Sequence, residues 1–316
     1  MKIVFMGTPD FAKESLSKII EDGKHEVIGV VTNIDKKQGR GNKIKYSPVK
    51  ELAIENNIPV YQPVKIRGNA DFLGVMKDLA PDAIVVVAYG KILPKELLDI
   101  PKHGCINVHA SLLPKYRGPA PIQWAIINGD KLTGVNTMYI NEKMDEGDIL
   151  LTAEYLIPDD MTTGELFSEL AKIGSEILIE TLDGIEKGTI ERKKQVGEPS
   201  YTKMITKEMG HISWNNKARD IVNLVRGLYP SPGAYIMIDD KRIKICKVKV
   251  LGEEEYKMHE KEFENTNIGD KCVKNGRLFF KVLDGAVEIL ALQPQGKKAM
   301  ECKDYLNGNR EMFKNK

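Results

Sequence analysis

Ala83-Ile84-Val85-Val86-Val87-Ala88-Tyr89 is the longest near-continuous apolar run in the chain. It falls far short of the ~20 residues that a membrane-spanning helix needs, and it suits a strand buried on both faces. Working outward, Lys2 to Met6 and Val27 to Val31 read as short buried strands, Val60 to Pro63 as a third, and Cys105 to Val108 as another. Between the first two, Phe11, Leu16, Ile19 and Ile20 recur at helical spacing. Ser47-Pro48 is an N-cap followed by a first-turn proline, opening a helix through Ala53. Strands separated by helices imply right-handed crossovers, and so an α/β domain with a mainly parallel sheet and helices on both faces. Such sheets bind ligands beyond the carboxyl ends of their strands.

Downstream, Thr162-x-x-Glu165 is a capping box, and Leu166, Leu170, Ile173, Ile177, Leu178, Leu182 and Ile185 form one apolar stripe behind it. That helix ends near Gly188, and the polar stretch after it, with Gly197 and Pro199, reads as a linker. Beyond the linker come short strands: around Ile212, then 234–238, 242–250, 270–273, 277–282 and 287–292, with one helical pattern over 218–227. This texture predicts a small β-barrel. The expected division is a catalytic domain over 1–188, a linker over 189–206 and a barrel domain over 207–316. Within the barrel, Ile243 and Ile245 are apolar at odd positions, and Val248 and Val250 at even ones. The phase slip at Cys246-Lys247 predicts a β-bulge that leaves Arg242, Lys244, Lys247 and Lys249 on one outer face. A solvated edge guarded by lysines would read the same way.

The chain of 316 residues, 42% hydrophobic and 29% charged, has ordinary globular usage. Gly7 and Pro9 follow the first short apolar run at once, so no signal peptide is expected. Cys105, Cys246, Cys272 and Cys302 lack Cys-x-x-Cys spacing, which implies neither a zinc site nor a disulfide framework, and the chain reads as a reduced, cytoplasmic protein. The net charge of +2 conceals a local excess. Between Asn33 and Lys50 stand Lys36, Lys37, Arg40, Lys43, Lys45 and Lys50 against Asp35 alone. A polyanionic partner would feel that segment, which has few apolar residues to pack with.

Chemistry concentrates between Cys105 and Asp130. Residues two apart in a strand share a face, so Asn107 and His109 point the same way at the strand's carboxyl end. An amide donor beside an imidazole suits polarisation of a carbonyl, although one Asn and one His also fit a structural role. None of the other four histidines, His25, His103, His211 and His259, has metal-ligand or triad spacing, and no metal is expected. Asp145 lies in the acidic loop 141–148 between two strand-like segments, where it would orient His109 or be a solvated turn. Gly7-Thr8-Pro9 lacks Gly-x-Gly-x-x-Gly, and no Walker pattern occurs, which argues against nicotinamide, flavin and nucleoside triphosphates.

The run Asn107-Val108-His109-Ala110-Ser111-Leu112-Leu113-Pro114-Lys115-Tyr116-Arg117-Gly118, together with Asp145, resembles the 10-formyltetrahydrofolate-dependent formyltransferases. Four further segments resemble the branch of that family that formylates methionyl-tRNA. They are Met6 to Phe11, Gly39-Arg40-Gly41 through Ser47-Pro48-Val49-Lys50, Pro119-Ala120-Pro121-Ile122-Gln123 and Gln293 to Lys298. The resemblance covers the whole chain. It implies a Rossmann-like domain followed by an OB-like barrel, and a catalytic trio of Asn107, His109 and Asp145. It also implies a site for 10-formyltetrahydrofolate bordered by Val87, Ala88, Tyr89, Ser111, Leu112, Leu113, Pro114 and Asp148. The partner implied is methionyl-initiator tRNA. Its acceptor end would meet Lys36, Lys37, Arg40, Lys43 and Lys45, and its flank the barrel residues Arg242, Lys244, Lys247 and Lys249. A monomer is expected.

Formyl transfer to an amine passes through a tetrahedral oxyanion, which needs positioned donors rather than a metal. An α-amine with a pKa of ~7.7–8.0 is partly neutral near pH 7, as a nucleophile must be. Two other readings remain open at this point. A formyltransferase acting on a sugar-nucleotide amine leaves the basic segment unexplained. A catalytically silent RNA-binding protein needs neither the Asn107/His109 pair nor the Ser-Leu-Leu-Pro loop.

Overall fold

The computed structural model describes residues 1–38, 43–238, 240–264 and 266–309. By packing, these residues form two units. One comprises the described residues within 1–121, 132–156 and 167–202; the other comprises 122–131, 157–166 and the described residues from 203 onward.

The first unit holds a seven-stranded sheet built from β1 (Lys2–Gly7), β2 (Glu26–Val31), β5 (Val60–Tyr61), β6 (Ala83–Val87), β7 (Cys105–His109), β8 (Leu132–Tyr139) and β9 (Ile149–Leu156). A separate hairpin supplies β3 (Lys36–Gln38) and β4 (Lys43–Lys45). The order across the sheet is β5-β2-β1-β6-β7-β8-β9. Pairs from β5 through β7 are parallel, whereas β8 and β9 add antiparallel strands at one edge. The order reverses between β1 and β6, so a crevice opens beyond their carboxyl ends, in the Rossmann-like manner. All five residues of β6 are buried, as its unbroken apolar run requires. Val4, Met6, Ile84 and Val86 pack on Phe72 and Met76 of the helix Ala70–Leu79. On the other face, Gly174 of the helix Thr163–Lys187 comes so near the sheet that a Cβ there would lie 3.0 Å from Val108 Cγ1. The Ser47 cap forms as expected, its hydroxyl accepting from Lys50 N at 3.2 Å at the start of Pro48–Glu55. Gly7 permits the turn out of β1, since a Cβ would stand 2.8 Å from Val87 O.

The second unit contains β10 (Ala234–Ile238), β11 (Lys241–Val250), β12 (Lys271–Lys274), β13 (Arg277–Val282), β14 (Gly285–Pro294) and β15 (Met300–Glu301). They pair as an antiparallel sheet in the order β10-β11-β14-β13-β12, with β15 also on β14. The amphipathic helix Ala218–Leu228 contributes Ile221 and Val225 to a core with Ile236, Ile243, Ile245, Leu278 and Ile289. The register of β11 against β14 shifts on either side of Lys247, which is the bulge that the apolar phase slip predicts. Around Ile212 no strand forms. The chain makes a short 3-10 turn over Glu208–Gly210 and a single bridge from His211 to Tyr235.

Three segments pack differently from the simple division. Residues 189–202, expected as linker, are tied to the first unit: Lys193 exchanges backbone hydrogen bonds of 2.7 and 2.8 Å with Ile149, and Thr202 N donates to Arg117 O at 2.8 Å. Segments 122–131 and 157–166 group instead with the second unit. The reason is close contact with the helix Ala218–Leu228. A Cβ on Gly227 would lie 2.6 Å from Ile127 Cγ1, and Thr163 Oγ1 donates to Gly227 O at 2.7 Å.

Candidate active site

Asn107 and His109 stand on one face at the carboxyl end of β7, two residues apart, with His109 opposite Asn136 of β8. His109 is buried. Its Nε2 lies 3.0 Å from Tyr116 O, and because a carbonyl only accepts, the ring donates there. Its Nδ1 faces Asp145 Oδ2 at 3.8 Å, beyond hydrogen-bond range but within reach of an ion pair. That carboxylate oxygen also accepts from Gly118 N at 2.7 Å. Asp145 adopts a left-handed backbone conformation, φ 50°, unusual for a residue with a side chain.

The structure therefore brings His109 and Asp145 together, with the loop 116–118 between them. Asn136, without a role in the sequence reading, is almost fully buried. It accepts from Leu113 N at 2.7 Å and donates to Thr152 Oγ1 at 2.6 Å, pinning the Ser-Leu-Leu-Pro turn to the sheet. Gln195 likewise carries no functional signal in the sequence, and Arg117 lies in the run that resembles the formyltransferases without being given a role of its own. No spacing links them, and only the tertiary fold makes them neighbours.

The residues expected to border the folate differ in what they present. Ala88 is exposed at the end of β6, Leu112, Pro114 and Asp148 are partly exposed, and Val87 and Leu113 are buried. Ser111 is fully buried, its hydroxyl donating to Lys115 O at 2.7 Å, so it shapes the turn rather than offering a free group. Tyr89 departs most from the expectation of a lining side chain. Its ring packs in the core with Met6, Ile66 and Leu93, and its carbonyl accepts from Asn33 Nδ2 at 3.1 Å. The physical reason is the apolar surroundings beneath β6, where burial pushes the phenol up to about 12. Among the described residues its hydroxyl has no hydrogen-bond partner. Tyr89→Phe is therefore expected to leave the KM for folate unchanged, and stability in denaturant unfolding unchanged or raised by up to about 1 kcal/mol. A several-fold rise in that KM would put the hydroxyl at the ligand.

The basic residues also divide. Arg40 lies outside the described residues, as do the side chains of Lys36, Lys37 and Lys43. Lys45 is exposed. Lys50 is bound to Asp35 Oδ2 at 2.5 Å and Gln62 Oε1 at 2.8 Å. Burial would raise the Asp35 carboxyl, but hydrogen bonds from Lys50 and Gln62 hold it below its ordinary value. On β11, Arg242 stacks over Tyr235 at 3.7 Å, Lys244 bonds Pro230 O, and Lys247 is exposed. Lys249 is committed to Glu255 and Glu288 at 3.1 and 3.2 Å, in a cluster that Arg277 completes. Among the described residues, no group of three His, Cys, Asp or Glu side chains is placed to hold a metal, and no helix is long and apolar enough to cross a membrane.

Comparison with known proteins places the chain in a family. The formyl transferase family model matches residues 1–182, and the model of the formyl transferase C-terminal domain matches 204–310. The methionyl-tRNA formyltransferase of Clostridioides difficile is 49% identical over 98% of this chain and 97% of its own length. The chain belongs to the methionyl-tRNA formyltransferase family. The family member from Caldanaerobacter subterraneus is 46% identical over 98% of this chain and 97% of its own. Solved structures share the formyltransferase fold at lower identity. WlaRD, a sugar 3N-formyl transferase, has a TM-score of 0.66 at 20% identity, covering 94% of this chain and 99% of its own. HypX from Aquifex aeolicus in complex with tetrahydrofolic acid has a TM-score of 0.61 at 16% identity, covering 100% of this chain and 48% of its own.

Proposed function

We propose that this chain transfers the formyl group of 10-formyltetrahydrofolate to the free α-amino group of methionyl-initiator tRNA, yielding formylmethionyl-tRNA for the start of translation in the cytoplasm. The observation that carries the reading is the approach of Asp145 to His109, beside Asn107 at the carboxyl edge of the sheet, in a chain of this family. The neutral amine attacks the formyl carbon, the new C–N bond forms, and the carbonyl oxygen becomes an oxyanion that Asn107 stabilises by donation, joined by the imidazole once its Nε2 turns from the Tyr116 carbonyl to the substrate. The bond from carbon to N10 then breaks. The proton lost by the amine passes through His109 to N10, and Asp145 holds the ring for that exchange. Folate lies against Ala88, the Leu112 to Pro114 turn and Asp148, beyond the ends of the parallel strands. The residues present need no metal for these steps.

The test is an assay of formyl transfer from 10-formyltetrahydrofolate to methionyl-tRNA, run beside a sugar-nucleotide amine. Turnover of the sugar alone would replace the reading, and turnover of neither would remove it.

For the tRNA, exposed Lys247 on β11 should act as a phosphate contact. Lys247→Ala is expected to weaken binding for all tRNAs alike and to reduce the salt slope by roughly 0.9. Lys249→Ala should instead lower stability, because it strips a partner from Glu288, while the salt slope barely moves. Arg40→Ala should in addition erode the preference for initiator over elongator tRNA in kcat/KM, since a guanidinium between glycines reaches base edges or stacks. An unchanged selectivity ratio would reduce Arg40 to a phosphate contact.

A further inference from the structure

We propose that Arg117 and Gln195 are positioning residues that hold the Asp145 carboxylate against His109. The proposal rests on the reading of His109 and Asp145 as catalytic partners. Arg117 is only 9% exposed, and a buried guanidinium is costly unless its donors are met. Gln195 Oε1 accepts from Nε at 3.0 Å and from Nη2 at 2.7 Å. Nη1 donates to Tyr201 Oη at 3.1 Å and forms an ion pair with Glu146 Oε1 at 3.0 Å.

Gln195 uses its other end on the Asp145 loop. Nε2 donates to Asp145 O at 2.7 Å and to Gly147 O at 3.0 Å. Arg117 only donates and the two carbonyls only accept, so the amide orientation is fixed, and no carboxylate or apolar side chain does both jobs. The loop needs such a hold, because Asp145 sits at φ 50°, where a residue with a side chain persists only when its surroundings over-determine it.

The placement of Arg117 in the chain adds a second link. Its predecessor, Tyr116, supplies the carbonyl that His109 Nε2 meets, and its successor, Gly118, supplies the N–H that Asp145 Oδ2 accepts. One side chain thus ties the backbone supports of both partners to the loop that carries the carboxylate. A buried charge used this way sets geometry more than stability.

The test compares Gln195→Glu, Gln195→Ala and Asp145→Asn, and the double variant Gln195→Glu/Asp145→Asn, with kcat and both KM values measured on the full-length chain. Gln195→Glu keeps an acceptor for Arg117 but loses the donor to the loop. It is expected to lower kcat about 10- to 100-fold, the scale of a 1 Å misplacement, with KM for folate and methionyl-tRNA within about twofold. Gln195→Ala should do the same. In the Asp145→Asn background the Gln195→Glu change should add little, because its effect runs through a carboxylate already gone. Gln195 is partly exposed on an irregular segment, so it tolerates replacement better than Arg117 does, and its variants are the decisive ones. Arg117→Lys, which keeps the charge and loses the fork, should fall alongside them. Near-normal kcat in Gln195→Glu, or the same fractional loss with and without Asp145, overturns the proposal. Near-normal kcat in Asp145→Asn instead overturns the catalytic reading beneath it.

Discussion

Alanine at His109 or Asn107 is expected to lower kcat by roughly 10²–10³, the usual loss when one preorganised donor to an oxyanion is removed. The KM for folate should change little, because neither side chain is asked to bind the pterin. His109 should show the larger fall, since in the proposed mechanism it also moves the proton from the amine to N10. The double variant should fall by less than the product of the two, because both act on one developing charge. The measurement is single-turnover formylation of methionyl-tRNA at saturating folate, with unfolding midpoints to show that each variant is folded. His109 is buried and paired with the Tyr116 carbonyl, so His109→Gln, which keeps one donor, is the control for lost packing. Turnover within a few-fold of the parent in either alanine variant would remove that residue from the chemistry.

The second large effect is expected at a position with no functional group. Gly147→Ala would place its Cβ 1.6 Å from Tyr139 O, a separation that cannot persist. The clash is with backbone, at the end of β8 where Tyr139 N also donates to Asp148 O at 2.9 Å, so no side-chain rotation relieves it. The loop carrying Asp145 must move or the sheet edge must open. Stability should fall by at least about 2 kcal/mol, at the upper part of the range for overpacking. The folded fraction should lose kcat on the order of 100-fold through the displaced carboxylate. Calorimetric unfolding and active-site-normalised turnover separate the two effects. A variant with the parent's melting temperature and turnover would contradict the packing described for this loop.

The alternation of strand and helix in the first half was legible because buried parallel strands leave unbroken apolar runs, as in Ala83 to Val87. The β11 bulge was legible for a related reason. An apolar period of two that changes phase has no other way to keep one face inward, and the register shift falls at Lys247. The direction of β8 was not legible, because parallel or antiparallel pairing depends on which neighbour the chain meets, and local pattern does not encode it. The helices Glu253–Met258 and Glu260–Phe263 were hidden in a charged run, although His259 between them is buried against Phe279 at 4.8 Å. At the site, period two alone put Asn107 and His109 on one face. The acidic loop around Asp145 allowed either a partner for His109 or a solvated turn, and only the resemblance put Asp145 in the trio, as no spacing joins it to His109. Gln195 lies 50 residues beyond the carbonyl it supports, in a polar stretch that reads as linker. Side chains that act by holding a distant backbone leave no periodic trace.

The interleaving of the two packing units sets an order on synthesis. Segments 122–131 and 157–166 leave the ribosome well before most of the unit they belong to, which continues to the end of the chain. At about 5–20 residues per second, the interval between them and the last residues is roughly 10–30 s. During that time Ile126 and Ile127 have yet to meet Gly227, and the Thr163 hydroxyl has yet to meet the Gly227 carbonyl. The sheet bearing Asn107 and His109 can close in the meantime, because 132–156 and 167–202 complete it. Once residue 202 has emerged, the first unit is complete while 122–131 and 157–166 still lack most of theirs, which makes late elongation the interval in which a chaperone has most to cover.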